Sequence, residues 1–237
     1  MIMPEYGHHL DASDAAARAS LIYAVGDIHG SLDKLEKLIA ACEQHAGGRP
    51  STFIFLGDYI DRGPHSADVV RLIMAMQSAP GKSVIALKGN HEAVALEIID
   101  GAGKLALWLE LGGAETLASY GVIDVHDLPR DHVDWMRSLP ASHDDGQRLF
   151  VHAGIDPQKP YDAQSEHDLL WIREPFLSDE RDHGRLIVHG HTPRLTGAPD
   201  WRGNRLNVDT GAVFGGPLTA AVFTGEERDP IGFLQAG

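Results

Sequence analysis

The chain has 237 residues, 43% of them hydrophobic, and 34 Asp and Glu against 20 Lys and Arg, a formal charge of −14 with its 14 histidines neutral. That excludes a disordered or low-complexity chain and suits one large domain that buries roughly 70–75% of its unfolded surface, while the acidic balance repels nucleic-acid phosphates and excludes a general DNA or RNA binder. The single Cys42 excludes an intrachain disulfide, no apolar run approaches the ~20 residues of a membrane span, and with no signal-peptide core in the first 20 residues the expectation is a cytoplasmic protein without membrane or nucleic-acid partners.

Residues 1–20 have no clear period and read as a flexible lead-in; 21–237 read as a single domain. Residues 21–25 form an apolar strand, followed over 32–46 by an amphipathic helix with Leu35, Leu38, Ile39 and Cys42 on one face. A second strand covers 52–56, after which Ser66 is expected to N-cap a helix carrying Val69, Val70, Ile73 and Met74. The third strand covers 83–87 and its helix 91–99. Three strand-loop-helix units in succession predict an α/β arrangement with parallel strands. Helical segments follow over 105–111, 114–119 and 131–138. The pattern then changes to short strands at 148–151, 186–188, 206–208 and 220–223, which predict a second, mixed or antiparallel sheet.

The strand ends carry the chemistry. The first three run into Gly26-Asp27-Ile28-His29-Gly30, Gly57-Asp58-Tyr59-Ile60-Asp61-Arg62-Gly63 and Gly89-Asn90-His91-Glu92, and two later strands into His152-Ala153-Gly154 and His189-Gly190-His191. In open α/β sheets the carboxyl ends of neighbouring strands share one crevice, so these loops are expected to converge. Carboxylate, amide and imidazole donors without thiolate suit divalent Mn, Fe or Zn. The blander alternative, turn-forming Asp and Asn with satisfied histidines, fits any one loop but not five in order.

These motifs resemble those of the metal-dependent phosphoprotein phosphatases and their calcineurin-like metallophosphoesterase relatives. The likeness runs over about 21–219 and is greatest for the short bacterial and phage members, through Trp171-Ile172-Arg173, Gly190-His191-Thr192-Pro193 and the run Asp209-Thr210-Gly211-Ala212-Val213-Phe214. It implies a four-layer αββα sandwich of two mixed β-sheets flanked by helices. It also implies two divalent cations, Mn²⁺ first and Fe or Zn as alternatives. Asp27 and His29 would hold one, Asp58 would bridge both, and Asn90, His152 and His191 would hold the second. Alternation along a strand sets His189 and His191 on one face, so spacing does not separate them; the resemblance selects His191 and leaves His189 to packing or support. Arg62 and Arg173 match phosphate-binding arginines, whose planar fork suits two phosphate oxygens. His91 would be the general acid, with Asp61 accepting its other N–H. Glu92 is expected to fix its loop, and 104–139 to form a helical insert capping the crevice.

Trp108, Trp135 and Trp201 read as packing residues, Cys42 as unreactive, and the histidines outside the five motifs as exposed or locally hydrogen-bonded. The function implied is hydrolysis of phospho-Ser or phospho-Thr in proteins, or of small phosphoesters, by in-line attack of a metal-bridging hydroxide. The alternative is a dinucleoside polyphosphate hydrolase of the diadenosine tetraphosphatase type, favoured by the run from His152 to Gln158 and by Arg62-Gly63-Pro64. That group usually has Ala where this chain has Asp61, and Trp where it has Thr192. An inactive phosphoprotein-binding scaffold is a third reading, opposed by the complete set of ligands, acid and arginines.

Overall fold

The computed structural model describes residues 20–237; the lead-in lies almost wholly outside them. Strand β1 (Leu21–Val25), helix α1 (Leu32–Ala46), β2 (Ser51–Phe55), α2 (Ser66–Ser78), β3 (Ser83–Ala86) and α3 (Asn90–Ile99) follow in order. The insert then supplies α4 (Leu105–Trp108), a π-type turn at Leu109–Gly113, α5 (Ala114–Tyr120) and α6 (Arg130–Ser138). After it come β4 (Ser142–Asp144), β5 (Arg148–Val151), α7 (Glu166–Trp171), β6 (Leu186–His189), β7 (Asp200–Arg202), β8 (Arg205–Asn207), β9 (Leu218–Thr224) and β10 (Gly232–Ala236).

The strands form two five-stranded mixed sheets, β10-β9-β1-β2-β3 and β4-β5-β6-β8-β7. In the first, β1, β2 and β3 are parallel and β9 runs antiparallel to β1, with Ala24 opposite Ala221. In the second, β5, β6 and β8 are parallel. The two sheets pack face to face through Ala24, Ile54, Leu56, Phe150, Val188, Leu206 and Phe223. Strand alternation sends Leu21, Tyr23 and Val25 to the opposite face, against Leu35, Leu38 and Cys42 of α1 and Val69, Val70 and Ile73 of α2. The inner strands β1 and β9 of the first sheet are therefore buried on both faces, which is why they read as continuous apolar runs rather than as alternating ones.

Four local expectations change. The strand at 220–223 belongs to the first sheet, because its partner is β1; a strand's own pattern does not name its neighbour. Ser66 is the first residue of α2 rather than its cap, which is His65, and the serine hydroxyl turns inward to accept the Asp61 N–H at 3.1 Å. The segment 105–111 does not stay α-helical, because Gly112 takes a φ of 112° within the π-type turn. The strands β4, β7 and β10 and the helix α7 were too short or too polar to stand out from sequence.

Cys42 is wholly buried among the α1 core residues, and burial together with Glu43 pushes its thiol up to about 12. A thiol reagent such as Ellman's is expected to find no reactive group in the native protein at neutral pH and one per chain in denaturant; rapid native labelling would contradict this packing.

Candidate metal centre

The five loops do converge, at the carboxyl ends of β1, β2, β3, β5 and β6. The local backbone there is unusual. His29, Asp58, Asp61, Arg62 and His191, with φ between 46° and 72°, are the only non-glycine residues with positive φ among the described residues. Such positions carry strain of order 1–2 kcal/mol each and persist only where the surroundings hold them. Glycines make the close approaches: a Cβ on Gly63 would lie 2.0 Å from the His29 carbonyl oxygen, and one on Gly190 2.0 Å from Asp27 Oδ1.

Asp58 lies at the middle. Its carboxylate is shared by two sets of ligand atoms, each lying within 4.8 Å of one another: Asp58 with His29 and His91, and Asp58 with His152 and His191. His29 Nε2 is 3.3 Å from Asp58 Oδ2, and His152 Nε2 is 3.4 Å from Asp58 Oδ1. Burial works to raise the Asp58 carboxyl, but the imidazoles of His152, His91 and His29 together hold it well below the usual carboxylate range. Asp27 is pushed the other way, by burial and by the charges of Asp209 and Asp58, against the His191 backbone N–H that donates to it at 3.1 Å.

Hydrogen-bond bookkeeping shows what the set is complementary to. His29 Nδ1 donates to the Ile60 carbonyl at 2.8 Å and His152 Nδ1 to the Leu56 carbonyl at 2.9 Å. With Nδ1–H committed there, each ring turns its Nε2 toward the centre. His152 Nε2 stands 2.8 Å from Asn90 Oδ1, another acceptor, and His191 Nδ1 stands 2.9 Å from the same oxygen. Nitrogen and oxygen ligand atoms of His152, His191, Asn90 and Asp58 thus crowd together around one point. The backbone carbonyls that fix the ring tautomers are the kind of support that metal-binding histidines usually have. This donor set fits divalent cations.

Beside the clusters, His91 Nδ1 donates to Asp61 Oδ2 at 2.7 Å, and His91 Nε2 is 4.0 Å from Asp58 Oδ2. The Arg62 guanidinium reaches His29 Nε2 and lies 5.5 Å over the Phe214 ring. Arg173 lines an open pocket of about 510 Å³ with His167, Trp171 and Glu174, and the Trp171 ring is 6.4 Å from that of His191. Of the ten residues singled out from sequence, nine are linked by direct contacts around Asp58, while Arg173 lies in the separate pocket beside Trp171.

His189 and His191 part company. β6 ends at His189 and His191 is left-handed, so strand alternation does not reach the second histidine. The His189 ring packs against Phe176 at 5.1 Å and its Nε2 has no hydrogen-bond partner among the described residues; burial, helped by Arg205, pushes it down to about 3.

Three groups near the centre had not been given these places from sequence. Trp108 Nε1 donates to Asp61 Oδ2 at 2.9 Å and Thr116 Oγ1 to Asp61 Oδ1 at 2.7 Å, so Trp108 does more than pack. Asp209 is a buried acid beside Asp27, raised to about 6 by burial despite the Gly211 N–H it accepts. Glu92 behaves as its loop-fixing reading requires, accepting the N–H groups of Asp58, Tyr59, Ile60 and Gly89 between 2.8 and 3.3 Å.

A pair of mixed sheets whose strand ends bring carboxylate, amide and imidazole donors around one shared aspartate defines the class of metal-dependent phosphoester hydrolases. The chain belongs to the calcineurin-like phosphoesterase family, whose sequence profile matches residues 20–224. It is 31% identical to serine/threonine-protein phosphatase 1 of Salmonella typhimurium, with 84% of this chain and 90% of that protein aligned. It is 30% identical to the asymmetrical bis(5'-nucleosyl)-tetraphosphatase PrpE of Anoxybacillus flavithermus, over 83% of this chain and 87% of that one. Against the symmetrical bis(5'-nucleosyl)-tetraphosphatase of Dechloromonas aromatica the identity is 34%, but the match spans only 57% of this chain and 44% of that longer protein. Among solved structures, a candidate diadenosine tetraphosphatase superposes with a TM-score of 0.70 at 24% identity, covering 93% of this chain and 95% of that one. A metallophosphoesterase from Sphaerobacter thermophilus superposes with a TM-score of 0.58 at 20% identity, covering 92% and 88%. These two likenesses speak to the fold.

Glu92→Gln replaces one acceptor oxygen by an NH₂ that faces backbone donors. It is expected to destabilise the fold by about 1–3 kcal/mol, read as a lower melting temperature; an unchanged melt would show that the four N–H groups do not depend on this carboxylate.

Proposed function

We propose that this chain is a two-metal phosphoprotein phosphatase that hydrolyses phospho-Ser and phospho-Thr. Asp27, His29 and Asp58 would hold one cation, and Asp58, Asn90, His152 and His191 the other, with Mn²⁺ the first candidate for oxygen and imidazole donors without thiolate. Bound there, two divalent cations supply an activated water for in-line attack at phosphorus and neutralise phosphoryl charge. Arg62 and Arg173 would orient the phosphoryl oxygens through their planar forks, so that the leaving oxygen faces the acid. His91 would give its Nε2 proton to that oxygen while Nδ1–H stays on Asp61. A cytoplasmic setting is part of the same reading.

The observation that carries it is the 2.7 Å hydrogen bond between Asp61 and His91. A serine or threonine alkoxide is a very poor leaving group and needs a proton in the transition state, whereas a nucleoside polyphosphate departs as an already stable anion. A chain that retains a buried carboxylate behind this histidine is equipped for the harder departure. The second reading, a dinucleoside tetraphosphatase, is supported by the 30% identity to the asymmetrical enzyme over nearly the whole of both chains.

The two readings part on a substrate panel. With Mn²⁺ added, turnover of a phosphoserine/phosphothreonine peptide set is expected to exceed that of diadenosine tetraphosphate in kcat/KM, and chelator is expected to abolish both; a wide preference for the dinucleotide reverses the order of the readings. Asp58→Asn is expected to weaken both metals together, so a variant that still holds two per chain by elemental analysis would reject the bridging role.

A further inference from the structure

Asp61 is wholly buried and left-handed at a φ of 72°, and Arg62 after it is left-handed at 68°. Two such residues in succession, neither glycine, are held from outside their own loop: the Ser66 hydroxyl of α2 accepts the Asp61 N–H at 3.1 Å, and the other holding groups come from the insert. Gly112, in the π-type turn, accepts the Arg62 N–H at 3.1 Å. That contact needs a glycine, since a Cβ there would fall 2.3 Å from Arg62 N. The Thr116 hydroxyl accepts the Asp61 N–H at 2.8 Å and donates to Asp61 Oδ1 at 2.7 Å, so one oxygen fixes both the backbone and the side chain of the same residue. Trp108 Nε1, on a fully buried indole, donates at 2.9 Å to Oδ2, the oxygen that also accepts His91 Nδ1–H.

We propose that Trp108 and Thr116 are positioning residues for the Asp61–His91 pair, so that the insert orients the proton donor of the site. A carboxylate offers about four lone-pair directions; here three are taken by rigid donors that arrive from three different elements, which stops the group rotating about its own axis. Both added donors are neutral, so they orient Asp61 without cancelling the negative charge that the imidazole faces. With Asp61 locked, the His91 ring has one orientation that satisfies Nδ1, and Nε2 is aimed at the crevice. The inference rests on the reading of His91 as proton donor.

The test compares two aryl phosphates with the Mn²⁺-supplied protein: nitrophenyl phosphate, whose leaving group departs unprotonated, and phenyl phosphate, whose leaving group needs the proton. Thr116→Val keeps volume and loses both hydrogen bonds, Thr116→Ser keeps them, and Trp108→Phe removes only the indole donor and part of the ring. Thr116→Val and Trp108→Phe are expected to lower kcat on phenyl phosphate by about tenfold or more and on nitrophenyl phosphate by less than about threefold, with KM unchanged. Thr116→Ser is expected to stay near the parent on both. Equal losses on the two substrates, or none, overturn the proposal. His91→Asn separates the layers: if it too lowers both substrates equally, the proton-donor reading falls and takes this inference with it. If it is selective for phenyl phosphate while the two insert variants are not, the positioning role alone falls. In ¹⁵N-labelled protein without added metal, the His91 Nδ1 proton resonance, identified by its loss in His91→Asn, is expected to move in Thr116→Val and return in Thr116→Ser; a resonance indifferent to Thr116 overturns the proposal independently of turnover.

Discussion

Everything around the crevice depends on one buried carboxylate. Asp58 is 1% exposed and would be costly to keep ionised there without partners. It is reached by imidazoles that hang from different sheets: His29 at the end of β1 in the first, and His152 at the end of β5 in the second. The seam between the sheets is thus an electrostatic joint as well as a hydrophobic one. The apolar layer of Ile54, Leu56, Phe150 and Val188 sets the sheets at a distance, and the aspartate with its histidines uses the open end of that gap.

Holding donors so close calls for backbone that ordinary residues avoid. The strained residues all lie in the site loops, and the β2 and β3 loops are tied by residues that are not themselves ligands in the proposed scheme. Glu92, on α3, gathers N–H groups from the β2 and β3 loops. Its carboxyl is pushed up to about 7 by burial and by Asp58, against the pull of the Tyr59 N–H and His91, so its place is held against an opposing field. The insert ties the far end of the β2 loop through Gly112 and Thr116. A loop braced on both sides is pre-organised, and pre-organisation is what lets fixed charges act on a developing transition state without first rearranging.

The chain's charge reads differently in this light. A formal −14 repels anions at long range, yet the crevice gathers its acids around positions suited to cations and sets Arg62 at its edge, with Arg173 in the pocket beside Trp171. Divalent ions there would make the site locally positive within an acidic protein, because the nearest charges dominate at short range and salt screens the rest. A net acidic chain and a site complementary to a single phosphate are therefore compatible.

The Gly-Asp-Ile-His-Gly, Gly-Asp-Tyr-Ile-Asp-Arg-Gly and Gly-Asn-His-Glu runs were legible because each puts glycine and a donor directly after an apolar strand, a local pattern that needs no knowledge of distant residues. The parallel order of β1, β2 and β3 followed from the same alternation of strand and helix. What stayed hidden was pairing across long separations. The membership of β9 in the first sheet depends on Leu21–Val25 nearly 200 residues earlier, and a strand's own pattern carries no label for its partner. The split of His189 from His191 depends on the strand ending at His189 and on the left-handed backbone at His191 just beyond it. Trp108 and Thr116 look like ordinary helix residues until the insert folds back onto Asp61. The sequence alone thus determined which chemical groups this protein carries and at which strand ends, since those follow from short-range patterning; only the tertiary structure decided which of them face one another and which neutral neighbours hold them, since directed hydrogen bonds between distant segments exist only once the core has brought the segments together.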